Sequence, residues 1–266
     1  MFRRLVPSLA VLALAAGAAN AHAALIAGDV MFTSFNADED GWSMVALANI
    51  DANTTIYFSD NEWNGSAFNT GESFTQWATG GSTIGAGTVI RFSAVDNATT
   101  LAASVGTLSR ATVSGSANWG LSQSADTVYA YLGSSASTPT QFLAAISSGL
   151  FSAAEGPLAG TGLTAGTNAI ALSNSSDYAE YNGSRSGAAT FGDYRAQLAN
   201  IANWNDLGDG TYAGNVPNTT SFTVAPVPLP AAAWLTISGL ASLAGFARRR
   251  RTDATAQPAT SAAIPA

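Results

Sequence analysis

Short runs of alternating apolar and polar residues recur from residue 29 to residue 224. In 88–93 (TVIRFS), Thr88, Ile90 and Phe92 share one face while Val89, Arg91 and Ser93 share the other, the two-residue period of a strand. Similar runs rich in Val, Ile, Tyr, Phe and Thr lie at 29–36 (DVMFTSFN), 42–50, 54–59 (TTIYFS), 126–132 (DTVYAYL), 168–173 (NAIALS) and 219–224. Turn-forming stretches at 36–41, 51–53, 61–71 and 80–87 punctuate them. One segment breaks the period. Phe191, Tyr194, Leu198 and Ile201 fall three to four apart behind Thr190 and Asp193, which predicts a minor α-helix with a capping-box start and a stripe packed on the core. Regularly spaced short strands predict an all-β fold, an antiparallel β-sandwich, over residues 24–225.

The two ends of the chain read differently. Residues 1–23 have the form of a secretory signal peptide: Arg3 and Arg4, an apolar core over 5–19, and Ala21-His22-Ala23 as an A-x-A cleavage site. Near the other end, 229–247 is a 19-residue run without a charge, about 28 Å long as a helix and so matched to a bilayer core. Arg248, Arg249, Arg250 and Arg251 follow it and mark a cytoplasmic end. The Ala/Thr/Pro-rich residues 252–266 predict a disordered tail.

Val227, Pro228, Leu229, Pro230 and Ala231, then the apolar run, then the arginines, resemble the PEP-CTERM sorting signal in its VPLPA variant, over about 226–251. The resemblance implies export through the Sec translocon and an inner-membrane intermediate held by a transmembrane helix. It also implies recognition by an exosortase, an integral-membrane cysteine transpeptidase or protease, and release to the cell surface or extracellular matrix of a Gram-negative bacterium. The alternative is an ordinary C-terminal membrane anchor. The family pattern stops at or just after the arginines, whereas this chain continues through 252–266.

Cleavage after Ala23 has a chemical consequence. His22 is the only histidine, and there is no cysteine or lysine, so the exported chain lacks all three. A Ser-His-Asp triad, a Cys-His pair, a zinc site built on Cys or His and a Schiff-base lysine are excluded. So are disulfide staples. Residues 24–225 carry 16 acidic side chains against Arg91, Arg110, Arg185 and Arg195, a net charge of −12. That field repels nucleic acid and suits a soluble surface protein or a binder of cations.

The stretches GDVMFTSFNADEDGWSMVALANIDANTTIYFSDNEWNG and LSQSADTVYAYL resemble the lamin-tail-like immunoglobulin-fold domains of bacterial surface proteins, over about 28–133. This implies an Ig-like sandwich and supplies no activity. Within it, Asp38, Glu39 and Asp40 form one acidic turn, and Asp60, Asn61 and Glu62 a second, with Glu72 shortly after. Loops after alternate strands of a sandwich gather at one end, where hard oxygen ligands converge on Ca²⁺. The competing reading is that Asp, Asn and Gly form turns on a solvated surface. Paired carboxylates also serve glycan hydrolysis, although nothing in the sequence singles out a pair. Of the body's tryptophans, Trp42, Trp63, Trp77, Trp119 and Trp204, most are expected in the core, and Trp63, in an Asn/Gly-rich stretch, is the first candidate for an exposed sugar platform. The leading expectation is a non-enzymatic surface or matrix protein of the biofilm type, with weak contacts to matrix polysaccharide. The alternatives are a Ca²⁺-dependent carbohydrate- or protein-binding module and a carboxylate-dependent hydrolase.

Overall fold

The alternating runs form strands in the computed structural model, which describes residues 24–226 apart from Ala125 and Asn174, together with Leu235. The expected signal peptide with Ala21 and Ala23, the 227–231 motif, the four arginines and the 252–266 tail lie outside the described residues, as does the apolar run except for Leu235. Among the described residues no helix is long and apolar enough to cross a membrane. All the strands belong to one compact unit, Met1–Val224; of the other unit, Ala225–Ala266, only Ala225, Pro226 and Leu235 are described.

In chain order the elements are β1 (Val30–Asn36), β2 (Gly41–Ala46), β3 (Thr55–Ser59), β4 (Phe74–Ala78), β5 (Val89–Ser93), β6 (Ala102–Ala103) and β7 (Thr107–Arg110). The long hairpin β8 (Thr127–Ser135) and β9 (Thr138–Ser147) follows, then β10 (Ala169–Ala171), β11 (Tyr178–Tyr181) and β12 (Ser186–Ala188). The helix α1 (Tyr194–Ala199), β13 (Trp204–Asp206) and β14 (Thr223–Val224) complete the set. Two six-stranded sheets result, ordered β13-β11-β1-β2-β5-β6 and β10-β9-β8-β3-β4-β7, and neither closes into a barrel. The first sheet is antiparallel throughout. The second is antiparallel except at its edge, where β10 returns parallel to β9, and the small β12–β14 pair is parallel as well.

Alternation decides which side chains meet between the sheets. Trp42 of β2 and Phe92 of β5 face each other in register on the first sheet, and Phe58 of β3 and Trp77 of β4 come from the second. Their rings interlock: Phe58 lies 5.1 Å from Trp42 and 4.9 Å from Phe92, and Trp77 lies 5.4 Å from Phe92. Tilted and edge-on aromatic pairs at these distances add attraction beyond their area of burial.

The outer faces are also covered, which strict alternation does not anticipate. Every residue of β1 and β2 is buried. Tyr194 of α1 reaches the last strand with its hydroxyl on the Thr223 carbonyl and packs edge-on against Phe222. Over the second sheet, Trp63 and Phe68 pack on Tyr129, Tyr131 and Phe142, and the Trp63 indole N–H donates to the Ala159 carbonyl at 2.9 Å. Trp63 is therefore 5 % exposed, against the expectation, because the loop that carries it lies down on the sheet. The helix forms where expected, with the Asp193 carboxylate accepting the Thr190 N–H at 2.7 Å, but it has six residues, and Ile201 falls beyond it, 44 % exposed.

Truncating the interlock has a large expected cost. Phe58→Ala should lower unfolding free energy by about 3–5 kcal/mol, whereas Ile201→Ala should stay within about 0.5 kcal/mol of the parent, both read from urea denaturation midpoints.

Candidate functional site

The segment 118–126 connects the acidic loops. The Asn118 N–H donates to the Gly71 carbonyl, the Leu121 N–H to Asp40 Oδ1, and the Ser122 N–H to Asp126 Oδ2. The acidic turn after β1, the long loop after β3 and the start of β8 are thereby tied to one short piece of chain. Their carboxylates nonetheless fall into separate groups.

The 38–40 turn is consumed by structure. Asn36 Oδ1 accepts the Glu39 N–H at 3.0 Å, and Asp40 sits at φ 56°, a left-handed conformation that Asp tolerates in turns. From there the side chains diverge: Asp38 accepts the Tyr212 N–H, Glu39 pairs with Arg91, and Asp40 accepts Leu121. Burial pushes the Asp40 carboxyl up to about 6, with the nearby charges of Asp96, Asp38 and Glu39 adding to the effect. Burial also raises Glu39, and Arg91 opposes it. Beside this turn, Gln123, its amide assigned nitrogen-inward, donates to Asp209 Oδ1 at 3.2 Å and to Asp177 Oδ2 at 3.1 Å.

The second group lies where β3 runs into its loop. Ser59 and Asn61 hold the loop's far end, Asn61 Nδ2 donating to the Ser73 carbonyl at 2.8 Å and Ser59 Oγ to the same carbonyl at 3.0 Å. Asn61 Oδ1 accepts the Glu72 N–H at 3.1 Å, so Asn61 is a clamp. Asp60 Oδ1 accepts both the N–H and the hydroxyl of Ser73, each at 2.7 Å. Its other oxygen, Oδ2, is buried and has no partner. Asp126 repeats the arrangement, with Oδ2 taken by Ser122 and Oδ1 buried and unpartnered. Glu72 Oε2 is a third such atom. Burial raises Asp126 well above the usual carboxylate range, and the charge of Asp60 raises it further. Glu72 is pushed up to about 7, by burial first and then by Asp60 and Glu62. Glu62 stays at the rim, half-buried, with Asn69 Nδ2 3.5 Å away.

The structure thus brings Asp60, Glu62 and Glu72 together, places Asp38, Glu39 and Asp40 elsewhere, and adds Asp126, which the loop-based reading passed over. A signal for it was present. Asp126 is in phase with Val128 and Ala130, both core residues, and Asp60 is in phase with Ile56 and Phe58. An acid at the apolar phase of a strand end marks a buried carboxylate.

Of the other described tryptophans, three are buried and Trp119 is half-buried. Trp42, Trp77 and Trp204 are core, and the Arg110 guanidinium lies 4.1 Å over the Trp119 ring. A polar groove of about 530 Å³ is lined by Glu180, Asn182, Arg185, Asn205 and Asn218 among others. Glu180 is the sole acid in that lining, and its two oxygens accept the Asn218 N–H and the Tyr178 hydroxyl. Comparison with protein-family models, curated proteins and solved structures finds no match for this chain.

Carboxylates raised in the fold release stability as they ionise. Asp40 and Glu72 are protonated in both states below the unfolded values of 3.8 and 4.5, and what they contribute is lost as pH rises through about 6 and about 7. Asp206 works the other way. Burial raises it, but the Ser173 and Ser176 hydroxyls and the Ser173 and Gly208 N–H groups outweigh that and lower it, so its contribution is lost only in acid. In buffer with a chelator, melting temperature should therefore be higher at pH 5 than at pH 8. A higher value at pH 8 would contradict the burial of unneutralised carboxylates.

Proposed function

We propose that this chain is an exported, non-enzymatic surface or extracellular-matrix protein, delivered by a signal peptide and released by an exosortase. The observation that carries the reading is the order Val227-Pro228-Leu229-Pro230-Ala231, uncharged run, four arginines, behind a chain that opens with a secretory signal pattern. The body suits that destination. Its net charge of −12 resists self-association and holds water.

A lamin-tail-like, Ig-type β-sandwich is the finer fold we propose. Two observations support it: the sheets share one aromatic core, and the two stretches that carry the resemblance pair side by side, Tyr57 against Tyr131 and Ser59 against Tyr129. The non-enzymatic part rests on where the carboxylates are. Asp60 and Asp126 are each 3 % exposed, out of reach of a polymer, and the Asn-rich groove holds one acid where glycan hydrolysis by the two-carboxylate route needs two. The amides of Asn182, Asn205 and Asn218 along an open groove fit weak hydrogen bonding to the hydroxyls of a matrix polysaccharide.

The intact mass and location of the native product test the reading. Exosortase-positive cells should yield a product that begins at Ala24, ends near Val227 and lies outside the cell, and replacing Pro228 and Pro230 with Ala should reduce its release severalfold. A product that keeps residues 234–251 in the inner membrane of those cells would mean a plain anchor and would end the matrix reading.

A further inference from the structure

We propose that Asp60 and Asp126, joined by Glu72, bind a hard divalent cation, Ca²⁺ by the chemistry of the site, at the end of the sheet formed by β3, β4 and β8. Three carboxylate oxygens carry the inference: Asp60 Oδ2, Asp126 Oδ1 and Glu72 Oε2 are each buried and without a hydrogen-bond partner. Buried carboxylate oxygens are ordinarily paired, because an ion removed from water and left uncompensated costs several kcal/mol. Here two of the three belong to side chains that are 3 % exposed.

Their positions follow from register. Ser59 pairs with Tyr129 and with Phe74, so Asp60, one residue on, falls opposite Ser73 on one side and Val128 on the other, with Asp126 two residues beyond Val128 on the same face. Asp60 continues the inner-face phase of Ile56 and Phe58, and Asp126 that of Val128 and Ala130. Each aspartate is held by its other oxygen, on Ser73 or on the Ser122 N–H, which aims the free oxygen and fixes it before anything binds. Burial is the main cause that raises Asp126, and the charges of Asp60, Glu72 and Glu62 add to it, which puts the four in one electrostatic neighbourhood. Thr75 Oγ1, on the strand position facing Phe58, is a further buried oxygen without a partner.

No side chain of the described residues supplies the missing positive charge. They contain no lysine or histidine. Arg91 is paired with Glu39, and Arg110 donates to the Val95 and Asp96 carbonyls. Arg185 donates to the Thr220 carbonyl near Glu180, and Arg195 lies against Asp29 and the Gly28 carbonyl. What remains is a proton or an ion from solution. All the available donors are carboxylate and hydroxyl oxygens, which select Ca²⁺ or Mg²⁺ over softer metals, and the irregular loop geometry suits Ca²⁺, which accepts six to eight oxygens without a fixed polyhedron. Among the described residues no three acids already stand as a formed metal cluster. Binding therefore draws Glu72, half-buried on its loop, onto two aspartates fixed in advance. This site stands or falls independently of how the chain is sorted.

The test is calorimetry and thermal melting of the purified full-length protein at pH 8, in CaCl₂ or MgCl₂ against EDTA. Saturating Ca²⁺ should release or absorb heat with a stoichiometry near one and raise the melting temperature by about 5 °C or more, the size expected when free ion exceeds its Kd about a hundredfold. Asp126→Asn and Glu72→Gln should each weaken binding at least tenfold. In EDTA, Asp126→Asn should melt no lower than the parent, since it removes a buried charge; a purely structural aspartate would give a lower value. Asp60→Asn joins the series, but Asp126→Asn keeps the test decisive if the Ser73 contacts prove essential for folding. No heat and no shift with either ion at pH 8 would overturn the proposal and leave protons as the neutralising species. An unchanged Ca²⁺ response in Asp126→Asn and Glu72→Gln would overturn it too, by placing the ion elsewhere.

Discussion

Two sheets without a disulfide stay together only through what passes between them, and here that is the contact of Phe58 with Trp42 and Phe92, with Trp77 closing on Phe92. Four large rings from four strands fix both the separation of the sheets and their rotation, because an aromatic pair loses its edge-on geometry when either sheet slides. The rest of the fold is consistent with that constraint. Gly87, at φ 90°, is placed where a Cβ would sit 2.3 Å from the Phe222 carbonyl, so the chain entering β5 can lie against the last covering segment only as glycine.

The same register produces the unusual end of the core. A strand that must place Ile56 and Phe58 inward also places its next in-phase residue inward, and in this chain that residue is Asp60. The neighbouring strand does the same with Asp126 before Val128. Each aspartate spends one oxygen on tying its loop, and in that use it is an ordinary turn former. The second oxygen is surplus to structure. The turn-former and ligand readings of an acidic loop are thus two ends of one carboxylate.

Much of the fold could be read from alternation, and the parts that could not share a cause. Strands rich in Val, Ile, Tyr and Phe, such as β3, β5 and β8, announce themselves. The longest strand, β9 (TPTQFLAAIS), does not, because it opens with Thr-Pro-Thr and its buried half includes two consecutive alanines; pairing along β8 makes it a strand. The short strands β4, β7, β11 and β13 are likewise set by neighbours rather than by propensity. Trp63 shows the converse error. Its polar, glycine-rich surroundings suggest a surface loop, yet the second sheet presents Tyr129, Tyr131 and Phe142 outward, and a loop with two aromatic residues covers them. Grouping the candidate ligands by loop kept Asp38, Glu39 and Asp40 with Asp60; grouping by strand phase separates them and recruits Asp126.

A body with four arginines and no lysine or histidine has few internal ways to neutralise acids. Three of its arginines lie beside one acid each, Arg91 with Glu39, Arg185 with Glu180 and Arg195 with Asp29, and Arg110 binds backbone carbonyls while stacked on Trp119. Surface acids do not need more, since water screens them. Buried ones do, and for those the missing charge has to enter from the medium. The electrostatics of the fold therefore depend on the pH and ions that surround it: removing side-chain cations from the body makes the solution a component of the core's acidic end.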